Sequence, residues 1–201
     1  DIRGMIACSG VAAQRLTELI EDEGLDAYHA LSEDIITSAE ARMKARLLEL
    51  ADGTWSTRVY YDEDGRTDRV YQIPIKLTKQ GDSITFDLTG ASEQAPSFIN
   101  CGIRGAKAAV FGALAVMIGY DIPWSQGIID AFDVIAPKGS LVNPVPPAPT
   151  ALGTIGAADA VMGGTTVLIA KMLMASPGFE QDLTAMWGVC GGCYVFAAVN
   201  Q

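Results

Sequence analysis

The spacing of the apolar residues changes at Gly53, and this change constrains the fold of the 201-residue chain more than any other feature. Before it, apolar residues such as Leu31 and Ile35 recur every three or four positions, which predicts two helices joined near Gly24. After it, residues 54–89 alternate between apolar and polar side chains, which predicts β-strands. Helices and strands that occupy separate stretches indicate an α+β fold.

Two regions follow from this pattern. We predict a helical hairpin over residues 1–53, packed on the rest of the protein, and an antiparallel β-meander over residues 54–100. Turn residues at 62–65 and 80–82 separate three strands, and the alternating polar residues predict that one face of the sheet is wet. Pro74 falls in the second strand and predicts an edge or a bulge, because proline lacks a backbone donor.

The third region, residues 101–201, is a mixed helix and strand region with buried Gly/Ala-rich helices. The pattern predicts two apolar helices and one strand, at residues 104–118, 157–175 and 128–135. Gly163 and Gly164 are expected to interrupt the second helix. Residues 193–201 have the pattern of a buried strand without a polar tail, so we expect this region to be truncated at its C-terminal end and the chain to be an internal fragment.

Composition excludes several classes of function. The formal net charge of −10 opposes binding to nucleic acid or to an anionic membrane surface. No run reaches the roughly 18 apolar residues of a membrane span, and the first residues lack the features of a signal peptide. The four cysteines are scattered, which favours reduced thiols and a cytoplasmic location.

Candidate chemical motifs are few. Cys190 and Cys193 form a single CxxC without a partner motif, so packing near a glycine-rich loop is favoured over a redox or metal role. His29 is the only histidine, which excludes a centre with two histidines. Residues 153–156 precede a helix and offer backbone N–H groups to an anion, with close packing as the alternative. The acidic residues of the turn at 62–68 are expected to form a solvated turn.

An ordered set of motifs resembles the hydantoinase B/oxoprolinase family. Each motif is short, but together they cover about 150 residues in the family's order. The matching stretches are DIRGMI at residues 1–6, the helix and GLD at 15–26, DGTW at 52–55, FDLTGAS at 86–92, IN at 99–100, and PKGSLVNP with two further prolines at 137–147.

The resemblance implies part of a hydantoinase B-type subunit in a cytoplasmic, hetero-oligomeric complex. The family's partner is a hydantoinase A-type subunit, which is expected to carry ATP and Mg²⁺. The implied activity is hydrolysis of a cyclic amide (a hydantoin, 5-oxoproline or a lactam) through a phosphorylated intermediate. The alternative is a subunit of an ATP-dependent acetone or acetophenone carboxylase. A divalent metal such as Zn²⁺ or Mn²⁺ is expected from sequence upstream of this chain, so the fragment alone is expected to be inactive.

Three residues are the candidates for catalysis. Asn100 has an amide that could bind a substrate carbonyl, and Thr154 and Asp159 lie at the predicted start of a helix. The alternative for each residue is a packing role in a glycine-rich core. A second alternative for the whole chain is a non-catalytic assembly domain that binds partner subunits through apolar surface.

Overall fold

The computed structural model describes residues 2–62 and 64–179, which form five helices and one four-stranded sheet. This arrangement confirms the α+β class. The helices are α1 (Ile2–Glu23), α2 (Leu25–Glu49), α3 (Ile103–Met117), α4 (Gln126–Asp130) and α5 (Ala157–Met174). The strands are β1 (Gly53–Tyr61), β2 (Tyr71–Gln80), β3 (Ser83–Asp87) and β4 (Phe132–Ile135).

The sheet has the strand order β1-β2-β3-β4. The first three strands form the predicted antiparallel meander, and β4 pairs with β3 in parallel, starting with Ile84 opposite Phe132. Alternate residues of β2 are buried, because one face of the sheet packs against the helices. At Gly164 of α5 an added Cβ would lie 2.7 Å from Ile75 Cδ1, so helix and sheet are in direct contact there.

Pro74 lies in an interior strand, which corrects the prediction of an edge strand. It is opposite Arg58 of β1. The ladder between β2 and β3 ends at the pair Lys76 and Asp87, so β3 does not extend as far as Pro74. A missing N–H is tolerated at this point because no β3 residue stands opposite it.

Two predictions for the third region need correction. The stretch 128–135 is a strand only from Phe132, since the residues before it belong to the short helix α4. Ser125 caps that helix by accepting a hydrogen bond from Gly127 N at 3.3 Å. The helix α5 is continuous through Gly163 and Gly164, because its tertiary packing outweighs the low helix propensity of glycine.

The predicted helices α1 and α2 are confirmed, but most of their surface is not packed on the rest of the protein. Gly24, with φ of 90°, separates them, and α1 has no buried residue. The buried side chains of α2 begin at Ala39 and continue with Met43 and Leu47. The apolar stripe seen in the sequence therefore continues into a solvent-exposed segment.

Helix α5 is the one described helix that is long and apolar enough to cross a membrane. Ten of its residues are buried against α3 and the sheet. This is the packing of a core helix, and it makes α5 the element that connects the sheet to the cavity described next.

Candidate functional site

A cavity of about 370 Å³ lies between α3, α5 and the loops that precede them. All three candidate residues, Asn100, Thr154 and Asp159, line it, although they are as much as 59 positions apart in sequence (159 − 100 = 59). The volume falls in the range of about 300–1,000 Å³ that is typical of small-molecule pockets. The structure thus places the three residues at one site, while their direct roles in catalysis stay predictions.

The Asn100 side chain is fully buried and bonded to backbone. Its Oδ1 accepts a hydrogen bond from Ala95 N at 2.6 Å. Its Nδ2 donates to the carbonyls of Ala95, Ser97 and Pro149, each at 2.9 Å. Because these partners occupy both ends of the amide, the geometry favours a positioning role, in which Asn100 shapes the loop that borders the cavity.

Glycines bring the start of α5 against the loop before α3. An added Cβ on Gly153 would lie 2.7 Å from Asn100 O, and one on Gly156 would lie 2.8 Å from Ile99 O. No side chain fits at such distances, so both positions require glycine. The backbone N–H groups nearby are also in use: Gly153 N donates to Thr150 O and Ala157 N donates to Ile99 O. These contacts favour close packing over the anion-binding alternative.

Among the described residues that line the cavity, Asp159 is the one with a carboxylate. It lies in the first turn of α5, where the helix dipole favours a negative charge. Burial has the opposite effect and prevails, so the pKa of the Asp159 carboxyl is raised above its ordinary value. Thr154 is exposed at the rim, with its hydroxyl free of hydrogen bonds to the described part of the chain. The pair offers a proton-accepting group and a polar rim to a small ligand.

Cys101 also lines the cavity, although no motif in the sequence pointed to it. Its burial raises the pKa of the thiol to about 11, so at neutral pH it is a thiol and a poor nucleophile. The sulfur packs against α3, since an added Cβ on Gly105 would lie 2.6 Å from Cys101 Sγ. The small residues spaced along α3 predicted the burial of that helix. They were the sequence signal for the side of the cavity that α3 forms.

The other candidate motifs lie elsewhere. His29 is exposed on α2, with its ring edge-on to Tyr28. Asp64 is buried, which corrects the prediction of a solvated turn: its carboxylate accepts a hydrogen bond from the Tyr71 hydroxyl at 2.6 Å. The CxxC motif at 190–193 lies outside the described residues.

The described residues do not fit a resident metal ion. In residues 2–62 and 64–179, no group of three or more His, Cys, Asp or Glu side chains is arranged to hold one. The cavity itself has one carboxylate and a protonated thiol. We therefore derive no catalytic step through a metal from this part of the chain.

Comparison with known protein families settles the relationship that the motifs suggested. The sequence model of the family "Hydantoinase B/oxoprolinase" matches residues 1–198. The chain belongs to the hydantoinase B/oxoprolinase family.

Individual members of the hydantoinase B/oxoprolinase family match over most of this chain. A Pseudomonas sp. (strain NS671) protein, named as the B component of a D-/L-hydantoinase, is 32% identical over 161 residues, which are 75% of this chain and 27% of that protein. The beta component of the Pseudomonas jessenii caprolactamase is 24% identical over 193 residues, 96% of this chain and 32% of that protein. The chain thus spans about a third or less of the length of these curated relatives.

A solved structure shares the fold. The ATP-dependent caprolactamase from Pseudomonas jessenii superposes with a TM-score of 0.76 at 22% identity, over 88% of this chain and 30% of that chain. The α+β architecture is therefore shared with that caprolactamase.

The family-like motifs have structural roles in this chain. In the DGTW stretch, Asp52 accepts hydrogen bonds from Lys79 Nζ at 2.8 Å and from Gly81 N at 2.9 Å. The Lys79 ammonium, followed by the Gly81 N–H, holds the pKa of Asp52 below its usual value. In the PKGSLVNP stretch, Asn143 Nδ2 donates to Ala136 O at 3.0 Å. In this chain, both motifs therefore stabilise turns through side-chain hydrogen bonds to neighbouring segments.

Proposed function

We propose that this chain is part of a hydantoinase B-type subunit of an ATP-dependent complex that hydrolyses a cyclic amide through a phosphorylated intermediate. The observation that carries the proposal is that Asn100, Thr154 and Asp159 line one cavity of small-molecule size. The 32% identity to a protein named as the B component of a D-/L-hydantoinase supports the hydantoinase-type interpretation.

The residues of the cavity suit a small ring. Ala108, Ala109 and Met162 form an apolar wall that excludes water from the ring carbons. The Asp159 carboxylate can accept a proton or a hydrogen bond, and its raised pKa makes it a stronger base than an ordinary aspartate. The Thr154 hydroxyl at the rim can donate to a carbonyl oxygen.

The remaining components of the proposed complex come from outside this chain. ATP and Mg²⁺ are proposed to bind a hydantoinase A-type partner, and ATP supplies the phosphoryl group that activates an amide oxygen. A divalent metal such as Zn²⁺ or Mn²⁺ is proposed to bind elsewhere in the B-type subunit. The complex is proposed to be cytoplasmic and hetero-oligomeric.

The first alternative is a subunit of a ketone carboxylase. The acetophenone carboxylase delta subunit of Aromatoleum aromaticum is 24% identical over 202 residues, all of this chain and 29% of that protein. An apolar cavity also suits a small ketone, so the choice between hydrolase and carboxylase depends on a turnover measurement.

The second alternative is a non-catalytic assembly domain. It is favoured by the apolar side chains that α1 exposes, among them Ile2, Met5 and Ile6, which are 76%, 69% and 67% exposed. Exposed apolar stripes of this kind mark surfaces that other proteins cover.

The test uses the full-length polypeptide that contains this chain, mixed with a hydantoinase A-type partner, ATP, Mg²⁺ and Mn²⁺ or Zn²⁺. Phosphate release is measured with a hydantoin, 5-oxoproline and a lactam, and separately with acetone or acetophenone plus bicarbonate. Release stimulated by a cyclic amide, and reduced at least about tenfold by Asp159→Asn, supports the proposed function. Stimulation only by a ketone plus bicarbonate supports the carboxylase, and complex formation without any stimulation supports the assembly domain.

A further inference from the structure

The charge distribution inside the cavity is one-sided. Among the described residues that line it, Asp159 is the single one with a formal charge, and none is a lysine or an arginine. The basic residues of α3, Arg104 and Lys107, are not part of the lining. Among these described residues a ligand meets apolar side chains, backbone, the hydroxyls of Thr150 and Thr154, and one carboxylate.

From this arrangement we propose that the cavity selects electrically neutral cyclic amides and rejects those that have a carboxylate substituent. Lactams and hydantoins belong to the first class and 5-oxoproline to the second. The inference rests on the proposed function, because it assumes that the cavity holds the amide substrate. It adds a specificity-determining residue, Asp159, and narrows the class of substrate.

Two physical effects act in the same direction. A carboxylate ligand would lie beside the Asp159 carboxylate without a cation between them, and like charges repel strongly where water is partly excluded. A neutral cyclic amide can donate its ring N–H to Asp159 in a charge-assisted hydrogen bond without this repulsion. No lysine or arginine among the described lining residues offers an ion pair to an anionic substituent.

The test compares two compounds that differ mainly in charge, 5-oxoproline and its neutral primary amide, 5-oxoprolinamide. Binding of each to the full-length polypeptide is measured by calorimetry at low salt, and turnover is measured as phosphate release by the assembled complex. We expect the neutral compound to bind at least about tenfold more tightly. Equal affinities, or tighter binding of 5-oxoproline, would overturn the inference.

A charge change at the rim gives a second, independent measurement. Thr154→Lys places a cation beside the cavity, and Thr154→Gln is the matched neutral control. We expect the lysine variant to shift the ratio of affinities toward 5-oxoproline by about tenfold, and the glutamine variant to leave that ratio unchanged. An unchanged ratio in a folded Thr154→Lys variant contradicts the assignment of charge selectivity to this cavity.

Failure of the inference and failure of the proposed function are distinguishable. Turnover of both compounds at equal efficiency contradicts the inference and leaves the amide hydrolase in place. Absence of turnover with every cyclic amide contradicts the hydrolase, while the binding ratio still decides whether the cavity prefers the neutral compound. If neither compound binds at all, the inference is overturned as well.

Discussion

The Asn100 side chain holds the loop before α3 to the proline-rich segment through Pro149, whose carbonyl accepts from Nδ2 at 2.9 Å. The same amide bonds the backbone of Ala95 and Ser97. Four backbone groups near the cavity thus depend on one side chain, and removing it leaves buried donors and acceptors without partners.

We therefore predict that Asn100→Ala lowers the free energy of unfolding by about 3 kcal/mol. Asn100→Asp is expected to cost at least as much, because an oxygen would replace Nδ2 opposite three carbonyl oxygens. Urea unfolding followed by circular dichroism measures both. The control is Ser97→Ala, which removes a buried hydroxyl without a partner among the described residues and is expected to change stability by less than about 1 kcal/mol. An unchanged free energy of unfolding in Asn100→Ala would show that the loop does not depend on this amide.

Replacement of two glycines by alanine should change the stability of the fold in opposite directions. Gly153→Ala places a Cβ 2.7 Å from Asn100 O and is expected to lower stability by about 2 kcal/mol and to weaken ligand binding in the cavity. Gly163 is solvent-exposed in the middle of α5 and has open space around it. Gly163→Ala is therefore expected to raise stability by about 0.5–1 kcal/mol. Thermal unfolding of the two variants checks the pair. Equal effects would contradict the close approach at Gly153.

Asp64 is predicted to make the fold sensitive to acid. The Tyr71 hydroxyl, followed by that of Thr67, holds the pKa of the Asp64 carboxyl well below its usual range. A depressed folded pKa stabilises the fold above the unfolded value of about 4, and this contribution is lost as the pH falls below it. The melting temperature of Asp64→Asn should therefore fall less steeply between pH 5 and pH 2 (roughly the window of this titration) than that of the unsubstituted chain.

The control for that measurement is Asp68→Asn, an exposed residue of the same segment. Its acid dependence should match that of the unsubstituted chain. An unchanged slope in Asp64→Asn would mean that another carboxylate causes the acid sensitivity.

Asp159 is predicted to affect the pH dependence of stability in the opposite direction to Asp64. Its folded pKa is raised by burial, so the fold favours the protonated form. Stability is complete below the unfolded value of about 4 and is lost as the pH rises from there through the raised folded pKa. At pH 7, Asp159→Asn should therefore give a small increase in melting temperature that disappears at pH 3 (below roughly the unfolded pKa). A lower melting temperature at pH 7 would show that the dipole of α5, rather than burial, dominates at this residue.

Periodicity was sufficient to predict most of the secondary structure. The antiparallel meander and the helices α3 and α5 follow from local spacing, which depends on which faces are buried. The helix α4 could not be predicted in this way. At Gly127 an added Cβ would lie 2.0 Å from Ile36 O, so this segment is fixed by contact with a residue about 90 positions earlier (127 − 36 = 91).

The sequence led to three residues that line one cavity, but it did not indicate how they are bonded. A family-like stretch led to Asn100, and the predicted start of a helix led to Thr154 and Asp159. All three line one cavity, and their roles in catalysis stay predictions. Nothing local indicates that the Asn100 amide is used by backbone groups, since Pro149 lies far along the chain. The burial of Asp64 was equally hidden, because a run of acidic residues in a turn is usually solvated.

The contact of Gly153 with the main chain at Asn100 bears on how such proteins diverge. Main-chain atoms are common to all residue types, so this side of the cavity persists when neighbouring side chains are exchanged. The opposite wall, at Ala108 and Met162, consists of side chains that single substitutions can enlarge or shrink. The volume of the cavity can thus change through a few exchanges on two helices, while the scaffold stays as it is.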